Sequence, residues 1–197
     1  MEMTGEQLIP ASQADTWTAL NDPEVLKACV PGCESIDRES DTEFIVNMTA
    51  RVGPVSAKFK GKLRLSDVRP PQSYALSFEG QGGVAGFAKG AAQVSLAPEG
   101  EGTKLSYRVK ANVGGKLAQI GSRLVDAAAN KVAGDFFRAF NEKMAALHGA
   151  HAGAVHEEHH PAPIARDPEL PDLPESSLAF FAAGALVVFV VALFTLL

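Results

Sequence analysis

The apolar residues of this chain change period once, and that change limits the folds open to it. From Phe44 to Val113 they recur at every second position. Phe44, Val46, Met48, Ala50 and Val52 form the first run, and Val55, Ala57, Phe59, Gly61, Leu63 and Leu65 the second. Tyr74, Leu76 and Phe78 follow, then Gly90, Ala92, Val94 and Leu96, then Leu105, Tyr107, Val109, Ala111 and Val113. Alternation of this kind gives strands with one dry and one wet face. Gly53-Pro54, Pro70-Pro71, Gln81-Gly82-Gly83 and Pro98-Glu99-Gly100 separate the runs, so short turns join them into an antiparallel meander. After Gly114-Gly115 the spacing becomes three and four. Leu117, Ile120, Leu124, Ala128, Val132, Phe136, Phe140, Met144 and Leu147 predict one helix of about thirty residues with a single apolar stripe. The dry sheet face and this stripe have only each other to bury against.

Ahead of the meander, Met1–Ile9 alternates as a strand. Ser12 with Asp15 forms a capping box for a short helix carrying Trp17 and Leu20 on one face. Asp22-Pro23 opens a second short helix, ended by Pro31-Gly32. One strand, two short helices, a curved meander and a long C-terminal helix predict an α+β helix-grip, in which the sheet wraps the helix around an apolar cavity. The expected cavity lining is Val46, Met48, Phe59, Leu63, Leu65, Phe78, Ala92, Val94, Tyr107, Val109, Ile120, Leu124 and Phe136. Its mouth is expected at Val30–Cys33 and Gly82–Phe87, with Val30, Val84 and Phe87 exposed there and Ala85 sharing the apolar tip. The glycine cluster from Gly80 to Gly90 reads equally well as a flap over that mouth or as a plain hairpin with weakened strand ends.

Leu178–Leu197 carries no charge, and only Gly184 and Thr195 fall outside the apolar set. As a helix it would span roughly 30 Å, the thickness of a bilayer's hydrocarbon core, which predicts a transmembrane anchor. The N-terminus lacks the basic and apolar runs of a secretion signal, so the expected location is the cytoplasmic membrane with the soluble domain on the cytoplasmic side. The chain thus divides into a ligand-binding domain over 1–147, a disordered His-, Pro- and acid-rich tether over 148–177 and the anchor over 178–197. Basic and acidic residues balance within 1–147, and the whole net charge of −5 sits on the tether. A neutral domain on an acidic tether argues against nucleic acid as a partner and against binding to anionic lipid headgroups by charge.

Nothing in the domain reads as catalytic. All five histidines, at 148, 151, 156, 159 and 160, lie in the tether, and no metalloprotease, nucleophile-elbow or phosphate-loop spacing occurs. His156, Glu157, Glu158, His159 and His160 read as a solvated segment before a metal site. Cys29 and Cys33 form no complete zinc set and read as packing residues. Lys58, Lys60, Lys62 and Arg64 make a basic row on the outer sheet face, either solvated or docked to an acidic partner.

Four blocks carry a resemblance. LNDPEVLKACVPGCESI, KFKGKLRLSDVRPP, YALSFEGQGGVAGFAKGAAQVSL and GGKLAQIGSRLVDAAANKVAGDFFRAFNEKM resemble the CoxG family of carbon monoxide dehydrogenase accessory proteins, within the START/Bet v 1-like (SRPBCC) superfamily. The resemblance spans roughly residues 1–147 and implies a non-enzymatic accessory role. It implies recruitment of a carbon monoxide dehydrogenase-type molybdenum hydroxylase to the membrane, and a respiratory quinone (menaquinone or ubiquinone) carried in the cavity. On this reading the mouth, not the basic row, docks the dehydrogenase. The competing readings are a lipid-binding or transfer module without a redox partner and a START-type enzyme.

Overall fold

The computed structural model describes the backbone of residues 1–52 and 55–152 and the side chains within 1–51 and 56–147. The expected anchor and most of the expected tether lie outside the described residues. Seven strands form one antiparallel sheet: β1 (Glu2–Ile9), β2 (Cys33–Arg38), β3 (Glu43–Val52), β4 (Val55–Arg69), β5 (Ser73–Gln81), β6 (Phe87–Glu99) and β7 (Gly102–Gly114). Their spatial order is β1-β7-β6-β5-β4-β3-β2, so the meander is closed on one side by the first strand. Met3 pairs with Val109 and Ile9 with Thr103, and the N-terminal amine donates to the Ala111 carbonyl at 2.8 Å.

Two short helices, α1 (Gln13–Leu20) and α2 (Pro23–Cys29), carry the chain from β1 at one edge to β2 at the other. Both start as their caps dictate. Ser12 Oγ accepts from the Asp15 amide at 3.1 Å, and Asp22 Oδ1 accepts from the Glu24 amide at 2.8 Å, with Pro23 in the first turn. Two polar contacts tie α1's approach to the sheet: buried Thr103 Oγ1 donates to the Ala11 carbonyl at 2.8 Å, and Gln13 Nε2 to the Leu96 carbonyl at 2.8 Å. Strand β2 was not expected. Its burial does not alternate cleanly, because it is the edge strand and half-exposed along most of its length.

The expected single helix is two. A one-turn α3 (Lys116–Gln119) is followed by Ile120 and Gly121, and α4 runs from Ser122 to Ala152, past the expected start of the tether. Gly121 has φ +94°, a left-handed conformation open to glycine and strained for other residues, and it ends α3. The buried stripe of α4 is Val125, Ala129, Val132, Ala133, Phe136, Phe137, Phe140 and Met144. Leu124 is 55% exposed instead of inward. The reason is rotational: at 100° per residue, a run of strict four-residue steps back from Phe140 has drifted by about 160° at Leu124, whereas Val125 is only about 60° off. No helix among the described residues is long and apolar enough to cross a membrane.

The core lies between α4 and the inner sheet face. Phe44, Met48, Leu63, Leu76, Phe136, Phe140 and Met144 are its largest fully buried side chains there, joined by Ile9, Leu20 and Leu26 from the edge elements. Truncating Phe140, 0% exposed, to alanine is expected to cost about 3–5 kcal/mol. Leu124→Ala is expected to stay within about 0.5 kcal/mol of the parent, as befits a surface position. Urea denaturation of the two variants checks the phase of α4: equal losses would return Leu124 to the core.

Candidate ligand-binding interior and its open end

The alternation of β3 to β7 turns one side chain in two toward α4. Val46, Met48, Phe59, Leu63, Leu65, Phe78, Ala92, Val94, Val109 and Phe136 are all buried on that side. Tyr107 is half-buried in the same phase, its ring stacked on Phe137 with centroids 5.7 Å apart. Phe136 stands edge-on to Phe137 at 5.1 Å and stacks on Phe140 at 5.4 Å, so an aromatic row runs along the helix beneath the sheet. Ile120 is half-buried at the turn into α4 and packs against the same cluster.

Val84, Phe87 and Leu124 do not face the interior. Val84, 84% exposed, sits in the one-turn 3-10 segment Gly83–Ala85, where Ala85 N–H bonds to the Gly82 carbonyl at 3.1 Å and turns residue 84 outward. Phe87 is 46% exposed because β6 gives it the phase of Lys89, Ala91 and Gln93 on the outer face. Its ring lies over Gly114, where a Cβ would come within 2.3 Å of it. Two members of the expected apolar rim are buried instead: Ala85 within the 3-10 turn and Val30 at the end of α2. The glycine cluster therefore forms a tight hydrogen-bonded turn, with Gly82 packed under the Phe59 ring.

One residue missing from the expected lining carries a polar atom into the core. Tyr74 on β5 is 3% exposed, and Trp17 meets its ring edge-on at 5.6 Å. Its Oη is buried and, among the described residues, has no hydrogen-bond partner. Burial pushes its pKa well above the ordinary tyrosine value, so the hydroxyl stays protonated and able to donate. A tyrosine at an inward position of an otherwise apolar strand was the signal available in the sequence.

A cleft of about 270 Å³ lies at the end of the sheet where β7 gives way to α3, between Met1, Ala111 and Val113 on one side and Ala118, Ser122, Val125 and Asp126 on the other. A larger groove of about 610 Å³ crosses the outer sheet face, but its walls include Glu6, Asp67, Arg69, Gln93 and Arg108. Tyr74, Val94 and Tyr107 also line that groove, and another of about 760 Å³ lies beside Leu8, Ile9, Pro10 and Ala11.

The basic row on β4 is largely neutralised within the sheet. Lys58 pairs with Glu34 at 3.1 Å, Lys62 with Glu43 at 3.0 Å, and Arg64 Nε donates to Glu43 at 2.8 Å. The Lys62 and Arg64 contacts hold the Glu43 carboxyl below its usual pKa. Among the described residues no group of three His, Cys, Asp or Glu is placed to hold a metal. Cys29 and Cys33 are free thiols, and burial pushes Cys33 up to about 11. At neutral pH its thiolate fraction, relative to the ordinary value of 9.0, falls about a hundredfold. Alkylation of Cys33 by iodoacetamide, followed by mass spectrometry, is expected to be about a hundredfold slower in folded protein than in urea. Equal rates would mean that the thiol is not buried as described.

A sequence model of the carbon monoxide dehydrogenase CoxG family matches residues 5–145. Among curated proteins, none matches the sequence significantly. A conserved protein from Geobacillus kaustophilus superposes with a TM-score of 0.70 at 28% identity, over 74% of this chain and 96% of that one. Proteins from Thermus thermophilus and Mycobacterium smegmatis share the fold, with TM-scores of 0.57 and 0.56 at 18% and 16% identity. They are covered over 99% and 92% of their lengths, and this chain over 75% in each case. With the seven-stranded grip and its C-terminal helix in place, the chain belongs to the carbon monoxide dehydrogenase CoxG family.

Proposed function

We propose that this protein is a non-enzymatic carrier that holds a respiratory quinone between the sheet and α4. It presents that quinone to a carbon monoxide dehydrogenase-type molybdenum hydroxylase, which it recruits to the cytoplasmic face of the membrane. Family membership supports the association with carbon monoxide dehydrogenase. The observation that carries the ligand class is the interior itself, an apolar grip with aromatic rings along one wall and one buried hydroxyl lacking a partner. An isoprenoid chain suits such walls, and a quinone carbonyl is an acceptor for the Tyr74 hydroxyl. Entry requires α4 and the sheet to separate at the cleft beside Val113 and Ala118. The apolar segment 178–197 keeps the carrier beside the lipid phase where quinone dissolves.

Lipid extraction from detergent-solubilised protein, followed by mass spectrometry, tests the ligand. Quinone is expected in stoichiometric amounts; phospholipid alone would mean a lipid-transfer module, and an empty extract would remove the carrier reading. Tyr74→Phe sharpens the test. Removing an unpartnered buried hydroxyl is expected to leave the empty protein as stable as before or to raise its stability by about 1 kcal/mol, while quinone retention falls. Reduced stability with unchanged retention would give Tyr74 a structural partner in place of a ligand.

Deleting Leu178–Leu197 is expected to move the protein from the membrane to the soluble fraction without loss of fold, since the core built by the described residues is complete by Met144. Placing arginine at Val188 is expected to oppose insertion by about 2.5–3.5 kcal/mol. Membrane fractionation reads both, and a truncated chain that still pellets quantitatively would remove the anchor.

A further inference from the structure

We infer that the end of the domain formed by the 3-10 turn, the start of β6 and the start of α4 is itself a contact surface for an anionic lipid bilayer. It goes beyond the proposed anchor, on which it rests only for keeping a bilayer within reach. Five large apolar side chains are exposed among the described residues: Leu8, Val84, Phe87, Leu124 and Leu147. Val84 and Phe87 lie at this end in the turn and the first residue of β6, and Leu124 lies in the first turn of α4. The backbone brings these elements together. A Cβ on Gly115 would lie 2.4 Å from Gly86 Cα, so the 3-10 turn rests directly on the entry to α3, and α4 starts two residues beyond α3.

Charge names the occupant. Lys89 near the start of β6, Lys116 at the start of α3 and Arg123 at the start of α4 belong to the elements of this end and are exposed. Among the described residues no carboxylate forms an ion pair with any of them. That holds even for Glu79, the register partner of Lys89. Elsewhere on the outer sheet face Lys58, Lys62, Arg64, Lys104 and Lys110 each hold a carboxylate, whereas Lys60 and Arg108, among the described residues, do not. Asp126, the first carboxylate on α4, is half-buried in the cleft beside the tip. An apolar tip inside a cationic collar partitions into an anionic membrane interface, the tip displacing water and the collar meeting headgroup phosphates. Charge balance over the whole domain conceals this local excess.

Reach is sufficient. α4 is 31 residues long, about 46 Å, so it carries the chain well away from the tip before the tether starts. Residues 153–177 can extend about 80 Å at roughly 3.3 Å each, enough to run back along the domain to the same bilayer. The cleft between β7 and α4 lies at the same end, so docking sets the entrance proposed above against the lipid phase.

The test uses the full chain with Cys33→Ser and Val84→Cys, the new thiol carrying a nitrobenzoxadiazole dye, on vesicles of equal parts phosphatidylglycerol and phosphatidylcholine. The expected result is blue-shifted emission quenched by nitroxide-labelled lipid, with no shift when the dye sits at Ser77→Cys on the outer sheet face. Lys116→Gln with Arg123→Gln is expected to lower the ratio of inserted to free tip about thirty-fold. Two results overturn the inference alone: the dye stays in water on chains that co-sediment with vesicles, or becomes shielded only when the dehydrogenase is added. The latter would make this end a protein interface. Chains that do not co-sediment at all overturn both this inference and the anchor.

Discussion

Everything inside this domain leans on the contact between one face of α4 and the inner face of the sheet. The strands bury one side chain in two, and the helix is the element that covers them along most of their length. Phe136, Phe137, Phe140 and Met144 supply much of that cover, each nearly or fully removed from water. A buried side chain of this size stabilises by about 1.5–3 kcal/mol, so these four alone match the net stability of an ordinary domain. The same contact decides what the protein can hold. A ligand entering the grip competes with the aromatic row for the same apolar walls, and it succeeds only if it replaces that burial. That favours a long hydrocarbon carrying a small polar head over a compact polar substrate.

The pairing of β1 with β7 makes this arrangement possible. The N-terminal strand seals one side of the meander by accepting the last strand as its neighbour, and Gly5 leaves room there for the Tyr107 ring, which a Cβ would meet within 2.9 Å. On the other side β2 and α2 finish the wrap, with α1 crossing from β6 and β7. The interior is therefore enclosed by chain segments from both ends of the domain, and regular structure breaks where β7 passes into α3. There glycines 114, 115 and 121 interrupt regular structure within a few residues, and the cleft opens.

Most of this frame was readable in the sequence because burial on one face imposes a period of two on strands and 3.6 on helices. The caps at Ser12 and Asp22 were readable for the same kind of reason, since each satisfies backbone donors that a helix start leaves free. What escaped the pattern had physical grounds. β2 is an edge strand whose faces are both partly wet, so its alternation is faint. The break at Gly121 hid inside an apolar repeat, and a four-residue spacing followed too far placed Leu124 on the wrong side. Phe87 is apolar but out of phase with Ala88, Ala92 and Val94, and it finds its cover on the outside, over Gly114. Tyr74 was visible as an inward aromatic, but its lack of a hydroxyl partner is a property of three-dimensional packing alone.

Charge shows the same limit of one-dimensional reading, with a functional consequence. The domain's basic and acidic residues balance, which argues against electrostatic attachment to lipid. Folding sorts them. Carboxylates from β1 to β3 settle against Lys58, Lys62 and Arg64 of β4 and Lys104 and Lys110 of β7, while Lys89, Lys116 and Arg123 at one end, and Lys60 and Arg108 on the outer sheet face, form no ion pair among the described residues. Neutrality summed over a domain is compatible with a strongly polarised surface, because an ion pair removes two charges from the field and leaves the unpaired remainder to act alone. Lys89, Lys116 and Arg123 lie at the end of the sheet where β7 passes into α3 and α4 begins.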